Sequence, residues 1–333
     1  MKTTLIGAGA IGGMIASRLA RSDAPVSLLV RPGQAVRLRE QGLRMRENGE
    51  VHTTRHQVAT DAAELGVQDL VIISVKAPAL VQAATRFAPL IGPDTVILSA
   101  LNGIPWWFFE GFEGPLRGRR LRSVDPAGEI ARALPPEQSV GCVVYLAAYV
   151  DVDGIVCPSP GEKLVLGDAM PGTGSLLRAE RIASLLRKAG FAPEIAKSIQ
   201  REVWIKLWGN LTANPIGALT GSTIEGMLHN QYTLRLVASM MAEARALANY
   251  LGLDLGMDIP QRMQGMRRLV GVKSSMLQDI EAGRALELDT IIGAVSEIGD
   301  LAGIDTPFID AVLGLIQQRA GNAGLWKPPE VAA

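Results

Sequence analysis

A glycine-rich motif near the N-terminus constrains the fold more than any other feature of the sequence. Gly7-x-Gly9-x-x-Gly12 lies between a short apolar segment, residues 3–6, and a stretch with helical periodicity. In a strand–turn–helix context the first glycine permits a tight turn, the second lets a pyrophosphate approach the backbone, and the third lets helix and strand pack closely. The pattern predicts a dinucleotide site at the start of the first helix, where the phosphates would face backbone N–H groups. We expect these residues to line it: Gly7, Ala8, Gly9, Ala10, Ile11 and Gly12.

Apolar segments alternate with helical patterns through the first hundred residues. Most of the predicted strands are apolar throughout, which is typical of a parallel sheet covered by helices on both faces. These strands lie at 3–6, 26–30, 69–75 and 95–99. A hairpin is predicted between residues 43–46 and 51–54, because Asn48-Gly49 is a strong turn signal. The N-terminal part of the chain is therefore expected to be an α/β domain of the Rossmann-like class.

The pattern changes after about residue 140. Three further segments resemble antiparallel strands, at 140–150, 155–157 and 163–166. From Ser198 onward the sequence has no convincing strand, and amphipathic stretches indicate helices at about 198–219, 230–251, 260–270, 287–303 and 307–320. We predict a Rossmann-like domain over residues 1–196 and an all-α domain over residues 197–333.

Composition excludes several classes of protein. Thirty-three basic residues balance 33 acidic ones and 48% of residues are hydrophobic, which argues against a disordered chain and against recruitment of nucleic acid by global charge. The sequence contains no run of 18 apolar residues, so it predicts no membrane-spanning helix. The apolar stretch after Lys2 loosely resembles a signal peptide, but its glycine spacing favours a nucleotide site, so we expect a cytoplasmic protein.

The two cysteines and three histidines give no metal-site spacing. Cys142 and Cys157 are expected to be reduced, buried thiols. The alternative is a cross-strand disulfide, since both lie in segments that resemble strands. We predict no bound metal.

The ends of the predicted parallel strands carry three polar residues. The second strand ends in Arg31, and no acidic residue lies between Asp23 and Glu40. An acid there would bind the ribose 2′-hydroxyl of NAD, whereas a guanidinium suits a 2′-phosphate, so the sequence predicts NADP(H). Lys76 and Asn102 end the third and fourth strands, where ligands bind. Alternatively, Arg31 and Lys76 are solvated charges, and Asn102 belongs to an ordinary Asn-Gly turn.

The predicted helix at 198–219 carries Lys206, Asn210 and Asn214 at intervals of four residues. On a helix these side chains form one polar stripe among apolar neighbours. Such a stripe faces either water or a cleft, and asparagine is a poor surface helix former, which favours the cleft. Further along, Ser274 or Ser275 is expected to cap a helix, and Glu287 could be an ordinary acid in a first helical turn.

Taken together, these segments resemble the ketopantoate reductase (2-dehydropantoate 2-reductase) family over essentially the whole chain. The most specific matches are EVWIKLWGNLTANPIGALT from Glu202 to Thr220 and SSMLQDIEAGRALELD from Ser274 to Asp289. The others are GAGAIGG at the start, LLVR ending in Arg31, SVKA around Lys76 and NG at Asn102. The resemblance implies a helical domain like the C-terminal domain of 6-phosphogluconate dehydrogenase. A homodimer is also expected, because the apolar faces of the helical domain could pair.

The resemblance implies NADPH-dependent reduction of a 2-oxo acid to a 2-hydroxy acid, ketopantoate to pantoate in pantothenate biosynthesis. It makes Lys206 the general acid and Glu287 a catalytic residue that contacts the nicotinamide ribose or the substrate hydroxyl. It implies substrate contacts by Asn102, Asn210, Asn214 and Ser275. Cofactor contacts are implied for Arg31, Lys76, Asn102, Ala147 and Glu287.

Two segments depart from the family pattern. Residues 104–109 form an aromatic run that could wall a pocket for a bulkier substrate, pack a dimer interface, or simply fill a core. Residues 117–122 form a basic run that could be a solvated loop or could meet an anionic substrate or partner subunit. The alternatives are therefore a related NADP-dependent oxidoreductase of another ketone or hydroxy compound, a dehydrogenase that joins an oxo acid to an amine, and a non-catalytic NADP-binding sensor.

Overall fold

The architecture is that of a computed structural model, which describes residues 1–170 and 175–328. The chain forms two compact units, Met1–Leu101 with Glu129–Ile199, and Asn102–Gly128 with Gln200–Ala333. The prediction of one boundary after residue 196 therefore needs correction, because Asn102–Gly128 belongs to the second unit. The physical reason is that its aromatic side chains pack there: the Phe108 ring lies 6.2 Å from that of Trp204.

The strands of the described residues all belong to the first unit and form two sheets. In chain order they are β1 (Thr3–Ile6), β2 (Val26–Leu29), β3 (Leu43–Glu47), β4 (Glu50–Thr54), β5 (Val58–Ala59), β6 (Leu70–Ile73), β7 (Val96–Ser99), β8 (Ser139–Val144), β9 (Ala148–Val150), β10 (Val156–Pro158), β11 (Lys163–Asp168) and β12 (Ala192–Ile195).

The larger sheet has eight strands in the order β12-β11-β8-β7-β6-β1-β2-β5. Neighbouring strands are parallel from β5 to β8, while β11 runs antiparallel to β8. In the centre, Leu5 of β1 lies in register with Leu28 of β2 and Ile72 of β6, and all three are fully buried. The predicted α/β class, with its parallel sheet, is confirmed.

The smaller sheet has the strand order β4-β3-β10-β9. The predicted hairpin is confirmed as β3 and β4, with Asn48 and Gly49 at φ of +52° and +85° in the turn. The prediction of one strand over residues 140–150 is wrong, because the segment divides into β8 of the larger sheet and β9 of the smaller one. The antiparallel pairing of β8 with β11 and of β9 with β10 is confirmed.

The α-helices of the described residues divide between the units. Those of the first unit are α1 (Ala10–Arg21), α2 (Pro32–Gln41), α3 (Ala77–Ala83), α4 (Glu129–Ala133) and α5 (Ser175–Lys188). Those of the second unit are α6 (Ile199–Thr220), α7 (Ile224–His229), α8 (Gln231–Tyr250), α9 (Ile259–Arg267), α10 (Ser275–Glu281), α11 (Ala294–Ala302) and α12 (Pro307–Asn322). The described residues of the second unit contain no strand, in agreement with the predicted all-α domain.

Local sequence explains several boundaries in the helical unit. Asp258 caps α9 through a capping box with Gln261, and Pro260 stands in its first turn, where a missing N–H costs nothing. Ser274 caps α10, its hydroxyl accepting from the Leu277 N–H at 3.3 Å. Gly303 ends α11 in the left-handed region. The caps at Asp258 and Ser274 therefore fix the residues at which α9 and α10 begin.

Three further features belong to the described chain as a whole. None of its helices combines the length and apolar character that a membrane crossing requires. Cys142 and Cys157 are both buried, as predicted, and no disulfide joins them. Within residues 1–170 and 175–328, no three acidic, histidine or cysteine side chains cluster as a metal site would need.

Candidate active site

The glycine-rich turn joins β1 to α1. Gly7 has φ of +92°, and a Cβ there would lie 2.5 Å from Val75 Cγ1. A Cβ on Gly12 would lie 2.1 Å from the Gly7 carbonyl oxygen, so both glycines are required by close backbone packing. At Gly9 the Cβ position has no described atom within 4 Å, and the residue is exposed. The turn is therefore closely packed at Gly7 and Gly12, whereas its backbone at Gly9 is open to a ligand.

The start of α1 is suited to an anion. Gly9 precedes the helix without a side-chain cap, and the first turn of α1 contains no acidic residue. The first N–H groups of a helix lack intrahelical acceptors and carry the positive end of its dipole. Gln34 on α2 donates from Nε2 to the Ala8 carbonyl at 2.5 Å, which ties the turn to the neighbouring helix. The residues present therefore fit the pyrophosphate of a dinucleotide.

The other predicted cofactor residues of this unit lie at strand ends. Arg31 is exposed two residues after β2, directly before α2. Lys76 is half-buried and directly precedes α3, so it follows β6 as predicted. Ala147 is exposed in the connection between β8 and β9, and its carbonyl accepts from the Ser159 N–H at 2.8 Å. Each of these positions stays a predicted cofactor contact.

In the helical unit, α6 carries the predicted polar stripe. The Lys206 ammonium donates to the Asn102 carboxamide oxygen over 2.7 Å, although 104 residues separate them along the chain. Lys206 and Asn210 are half-buried. Asn214, one turn further on, is 4% exposed, and its Nδ2 has no hydrogen-bond partner among the described residues. A buried amide donor without a partner is costly in a folded protein, so Asn214 is a candidate ligand-binding group.

The turn that presents Asn102 is fixed by the segment after Glu287. Gly103 has φ of +77°, and a Cβ there would lie 2.4 Å from the Thr290 carbonyl oxygen. That carbonyl accepts from the Ile104 N–H at 2.8 Å. Thr290 lies in a π-helical turn, Asp289–Gly293, which leads into α11. The structure thus brings Asn102, Lys206 and the segment of Glu287 into one unit, and π-turns of this kind occur frequently at functional sites.

Glu287 is half-buried two residues before that π-turn. Neighbouring Asp289 accepts from the Trp326 indole N–H at 3.0 Å and 3.2 Å through its two carboxylate oxygens. Burial raises the pKa of Asp289, and the hydrogen bond from Trp326 opposes that shift. The Leu286 N–H donates to the Leu325 carbonyl at 3.0 Å. Leu325 and Trp326 therefore bind the chain on either side of Glu287, at Leu286 and at Asp289.

The two adjacent serines have different surroundings. Ser274 is buried, caps α10 and lies against α6, since a Cβ on Gly217 would be 3.2 Å from its hydroxyl. Ser275 is the first residue of α10 and is exposed. The cap is therefore Ser274, and the predicted substrate contact by Ser275 stays a prediction.

The aromatic run after Asn102 forms part of the core of the helical unit. Trp106, Trp107, Phe108 and Phe109 are each at most 6% exposed. Phe108 and Phe109 meet edge to face with ring centroids 4.9 Å apart, a favourable aromatic geometry. Of the alternatives for this run, core packing is the one observed.

The basic run at 117–122 has its arginines exposed, as expected of a solvated loop. Backbone N–H groups at the end of this loop, not its arginine side chains, bind it to α11. The Glu297 carboxylate of α11 accepts from the Arg122 and Ser123 N–H groups at 2.7 Å and 2.8 Å, and from the Ser123 hydroxyl at 2.6 Å. Loop 117–122 is thus tied to α11 while its cations remain on the surface.

A Rossmann-like unit combined with a helical unit that carries a lysine and several amides defines a two-domain oxidoreductase. Comparison with known proteins specifies it further. The family described as ketopantoate reductase PanE/ApbA matches residues 3–170, and its C-terminal counterpart matches residues 198–320. The chain belongs to the ketopantoate reductase family, and it is an oxidoreductase that acts on a CH–OH or C=O group.

Individual relatives resemble the chain over nearly its full length. A 2-dehydropantoate 2-reductase of Mesorhizobium japonicum is 40% identical, with 98% of this chain and 100% of that protein covered. A crystal structure from Ralstonia solanacearum MolK2, assigned provisionally as a ketopantoate reductase, is 40% identical with a TM-score of 0.93 and covers 98% and 99% of the two chains. A 2-dehydropantoate 2-reductase from Geobacter metallireducens is 25% identical with a TM-score of 0.81, covering 96% and 100%.

Sequence reasoning missed three groups near these residues. Thr290 and Trp326 carried no motif, because their roles depend on contacts between segments far apart in the chain. Arg262 was also missed, although its guanidinium lies against α6 at Gly209. Gly209 in the middle of α6 was the available signal that another side chain packs against this helix, since glycines inside helices usually have a packing or functional reason.

Proposed function

We propose that this protein reduces ketopantoate to pantoate with NADPH and thereby serves pantothenate biosynthesis. Membership of the family and the 40% identity to a 2-dehydropantoate 2-reductase support this substrate. The aromatic run gives no reason to prefer a bulkier substrate, because its side chains are buried in the core. The single observation that carries the proposal is the Lys206–Asn102 hydrogen bond on the polar stripe of α6.

NADPH, when bound, supplies the hydride that reduces the carbonyl carbon. The residues of the first unit proposed to hold it are those of the glycine-rich turn, with Arg31 for the 2′-phosphate and Lys76 and Ala147 as further contacts. Gly9 offers the open backbone and α1 the N–H groups that a pyrophosphate requires. Arg31 is exposed, and its guanidinium can form a paired, charge-assisted contact with a phosphate.

Lys206 is proposed as the general acid. Hydride addition places negative charge on the carbonyl oxygen, and an ammonium within hydrogen-bond reach stabilises that charge and can transfer its proton there. Asn102 accepts one N–H of the ammonium, which orients the remaining donors of Lys206. The proton therefore leaves Nζ for the new hydroxyl group, and solvent restores it after the product departs.

The amides and acids of the helical unit are proposed to hold the substrate. Asn214 has a buried amide donor without a partner among the described residues, which suits an acceptor oxygen of the substrate. Asn210 extends the same stripe by one turn. Glu287 is proposed to accept a hydrogen bond from a hydroxyl of the substrate or of the nicotinamide ribose, and Ser275 is proposed to contact the substrate carboxylate or hydroxyl.

Initial rates of NADPH oxidation test the proposal. The purified protein is mixed with ketopantoate or with other 2-oxo acids and bulkier ketones, and the same reactions are run with NADH. We expect saturable turnover with ketopantoate, and a higher kcat/KM for ketopantoate with NADPH than for any other pair. NADPH binding without turnover of any carbonyl compound would instead indicate a sensor, and preference for another ketone would reassign the substrate.

The proposed assembly is a homodimer. Several apolar side chains of the helical unit are exposed, among them Val270, Phe308 and Leu315. Phe308 and Leu315 are seven residues apart on α12 and so share one face of that helix, and exposed apolar residues that share a surface often mark an interface. Sedimentation equilibrium of the purified protein is expected to give twice the mass of one chain, and a monomer at micromolar concentration would contradict this part of the proposal.

A further inference from the structure

Gly209 is an unusual residue in the middle of α6. Glycine in a helix interior is unfavourable relative to alanine, because it loses more conformational freedom on folding. In this structure the space of the missing side chain is filled by Arg262 of α9. A Cβ on Gly209 would lie 2.4 Å from Arg262 Nη2 and 3.2 Å from Cζ. The absence of a side chain at Gly209 therefore lets a guanidinium lie directly against the helix.

The position of Gly209 places that guanidinium against the side of α6 that adjoins Lys206. Residues three apart are neighbours on a helix surface, so Gly209 adjoins Lys206 on α6. A rise of about 1.5 Å per residue separates Gly209 from Lys206 by about 4.5 Å along the helix axis. Arg262 thus places a permanently charged cation against a part of α6 that adjoins the proposed proton donor.

Arg262 is held on a well-defined helix. The capping box of Asp258 and Gln261 fixes the start of α9, and the Arg262 N–H donates to the Asp258 carbonyl at 3.0 Å. Met263 and Met266 of α9 are buried in the helical unit. The side chain of Arg262 is half-buried, so its position is determined by packing to a greater degree than that of a surface arginine.

We propose that Arg262 binds the carboxylate of the 2-oxo acid substrate and makes the enzyme selective for acids over neutral ketones. This inference rests on the proposed function. In a 2-oxo acid the carboxylate is bonded directly to the reacting carbonyl carbon, so its partner must lie next to the group that protonates the carbonyl oxygen. Asn210, Asn214 and Ser275 are neutral, whereas a guanidinium fork matches a carboxylate in charge and geometry.

The test compares a 2-oxo acid with its methyl ester. kcat/KM is measured for ketopantoate and for methyl ketopantoate with saturating NADPH, in the wild type and in Arg262→Met. The ratio of acid to ester is expected to fall by about 10- to 100-fold in the variant, the worth of a hydrogen-bonded charge. Arg262→Lys should retain an intermediate ratio. Arg267→Met, which removes an exposed cation from the last turn of α9, is the matched control and should leave the ratio unchanged.

Gly209→Ala gives a second route to the same change. The new Cβ requires the Arg262 guanidinium to move away from α6, although Arg262 and its positive charge remain in the protein. We expect the acid-to-ester ratio to fall in this variant too, and to fall no further when Arg262→Met is added, because both changes disrupt one contact.

The outcomes separate this inference from the proposed function. Suppose that the wild type reduces ketopantoate and that Arg262→Met has the same acid-to-ester ratio as the wild type, whether both rates persist or both fall together. This result overturns the role of Arg262 and leaves the proposed function intact. A wild type that reduces no 2-oxo acid overturns the proposed function and the carboxylate site with it. A selective loss of the acid, shared by Gly209→Ala, supports the site.

Discussion

Replacing Gly103 by alanine tests how the Asn102–Lys206 pair is held. Gly103 has φ of +77°, a conformation that costs an L-residue about 1–2 kcal/mol. The new Cβ would also lie 2.4 Å from the Thr290 carbonyl oxygen, so the turn must move away from it. That movement would break the hydrogen bond from the Ile104 N–H to Thr290, worth about 1 kcal/mol.

The expected destabilisation is therefore about 2–3 kcal/mol. The same shift moves Asn102, whose carboxamide oxygen accepts from Lys206 at 2.7 Å. A hydrogen bond to a charged group is worth about 1.5–3 kcal/mol, so kcat should fall by about 10- to 100-fold.

Gly118→Ala is the matched control, because it separates backbone strain from the contact. Gly118 lies in the same unit at φ of +70°, and its Cβ position has no described atom within 4 Å. It should cost only about 1–2 kcal/mol and leave kcat unchanged. Urea unfolding and steady-state reduction of ketopantoate measure both quantities. Equal stability losses in the two variants, with kcat retained in Gly103→Ala, would refute the reasoning.

Three further predictions concern the cofactor and the two shifted ionisable groups. Arg31→Asp should raise the Kd for NADPH by about 10- to 100-fold and change that for NADH little, as measured by fluorescence titration. Burial lowers the pKa of His56, so stability should fall as pH decreases from neutrality through the ordinary titration range of histidine, and His56→Gln should flatten this dependence in thermal unfolding. Burial raises the pKa of Asp289, so the ionised carboxylate is disfavoured at neutral pH. Asp289→Asn should therefore raise the unfolding temperature there, with no such gain in acid.

Each of these predictions has a control and a contradicting result. Arg181→Asp changes the same charge on α5, which packs on β11 and β12 at the opposite end of the sheet from Arg31. Equal losses of NADPH and NADH affinity in Arg31→Asp would contradict the NADP assignment. His52→Gln should keep the wild-type pH dependence, and an unchanged slope in His56→Gln would contradict a lowered pKa of His56. For Asp289, a lower unfolding temperature of the asparagine variant at neutral pH would show that the carboxylate is needed.

The sequence predicted much of the fold because local patterns determine it. The glycine spacing, the apolar strands and the Asn48-Gly49 turn each encode their structure within a few residues, and the strand–turn–helix unit, the parallel strands and the hairpin are all observed. The small sheet was not foreseen, because pairing of β10 with β3 joins Val156 to Met45 across more than a hundred residues. The unit boundary was misplaced for the same reason, since the aromatic run finds its core partners only in the folded chain.

The candidate site shows a similar division. The spacing of Lys206, Asn210 and Asn214 was sufficient to predict one polar stripe on a helix. The hydrogen bond from Lys206 to Asn102, however, joins two distant segments, and the turn at Asn102 is attached to Thr290 through the Ile104 N–H, which no local pattern encodes. Arg262 likewise becomes a candidate only when α9 is seen to lie against Gly209. Residue types along one helix are readable from sequence, whereas partners supplied by other segments require the structure.

The most direct test of the central claim is a single-turnover measurement on Lys206→Met. Enzyme saturated with NADPH is mixed with ketopantoate, and the rate of NADPH oxidation is compared with that of the wild type. Methionine keeps most of the apolar stem but has no proton to donate. If Lys206 is the general acid, the rate falls by about 10²- to 10⁴-fold while the Kd for NADPH is unchanged. A rate within a few-fold of the wild type would contradict the assignment of Lys206 as the proton donor.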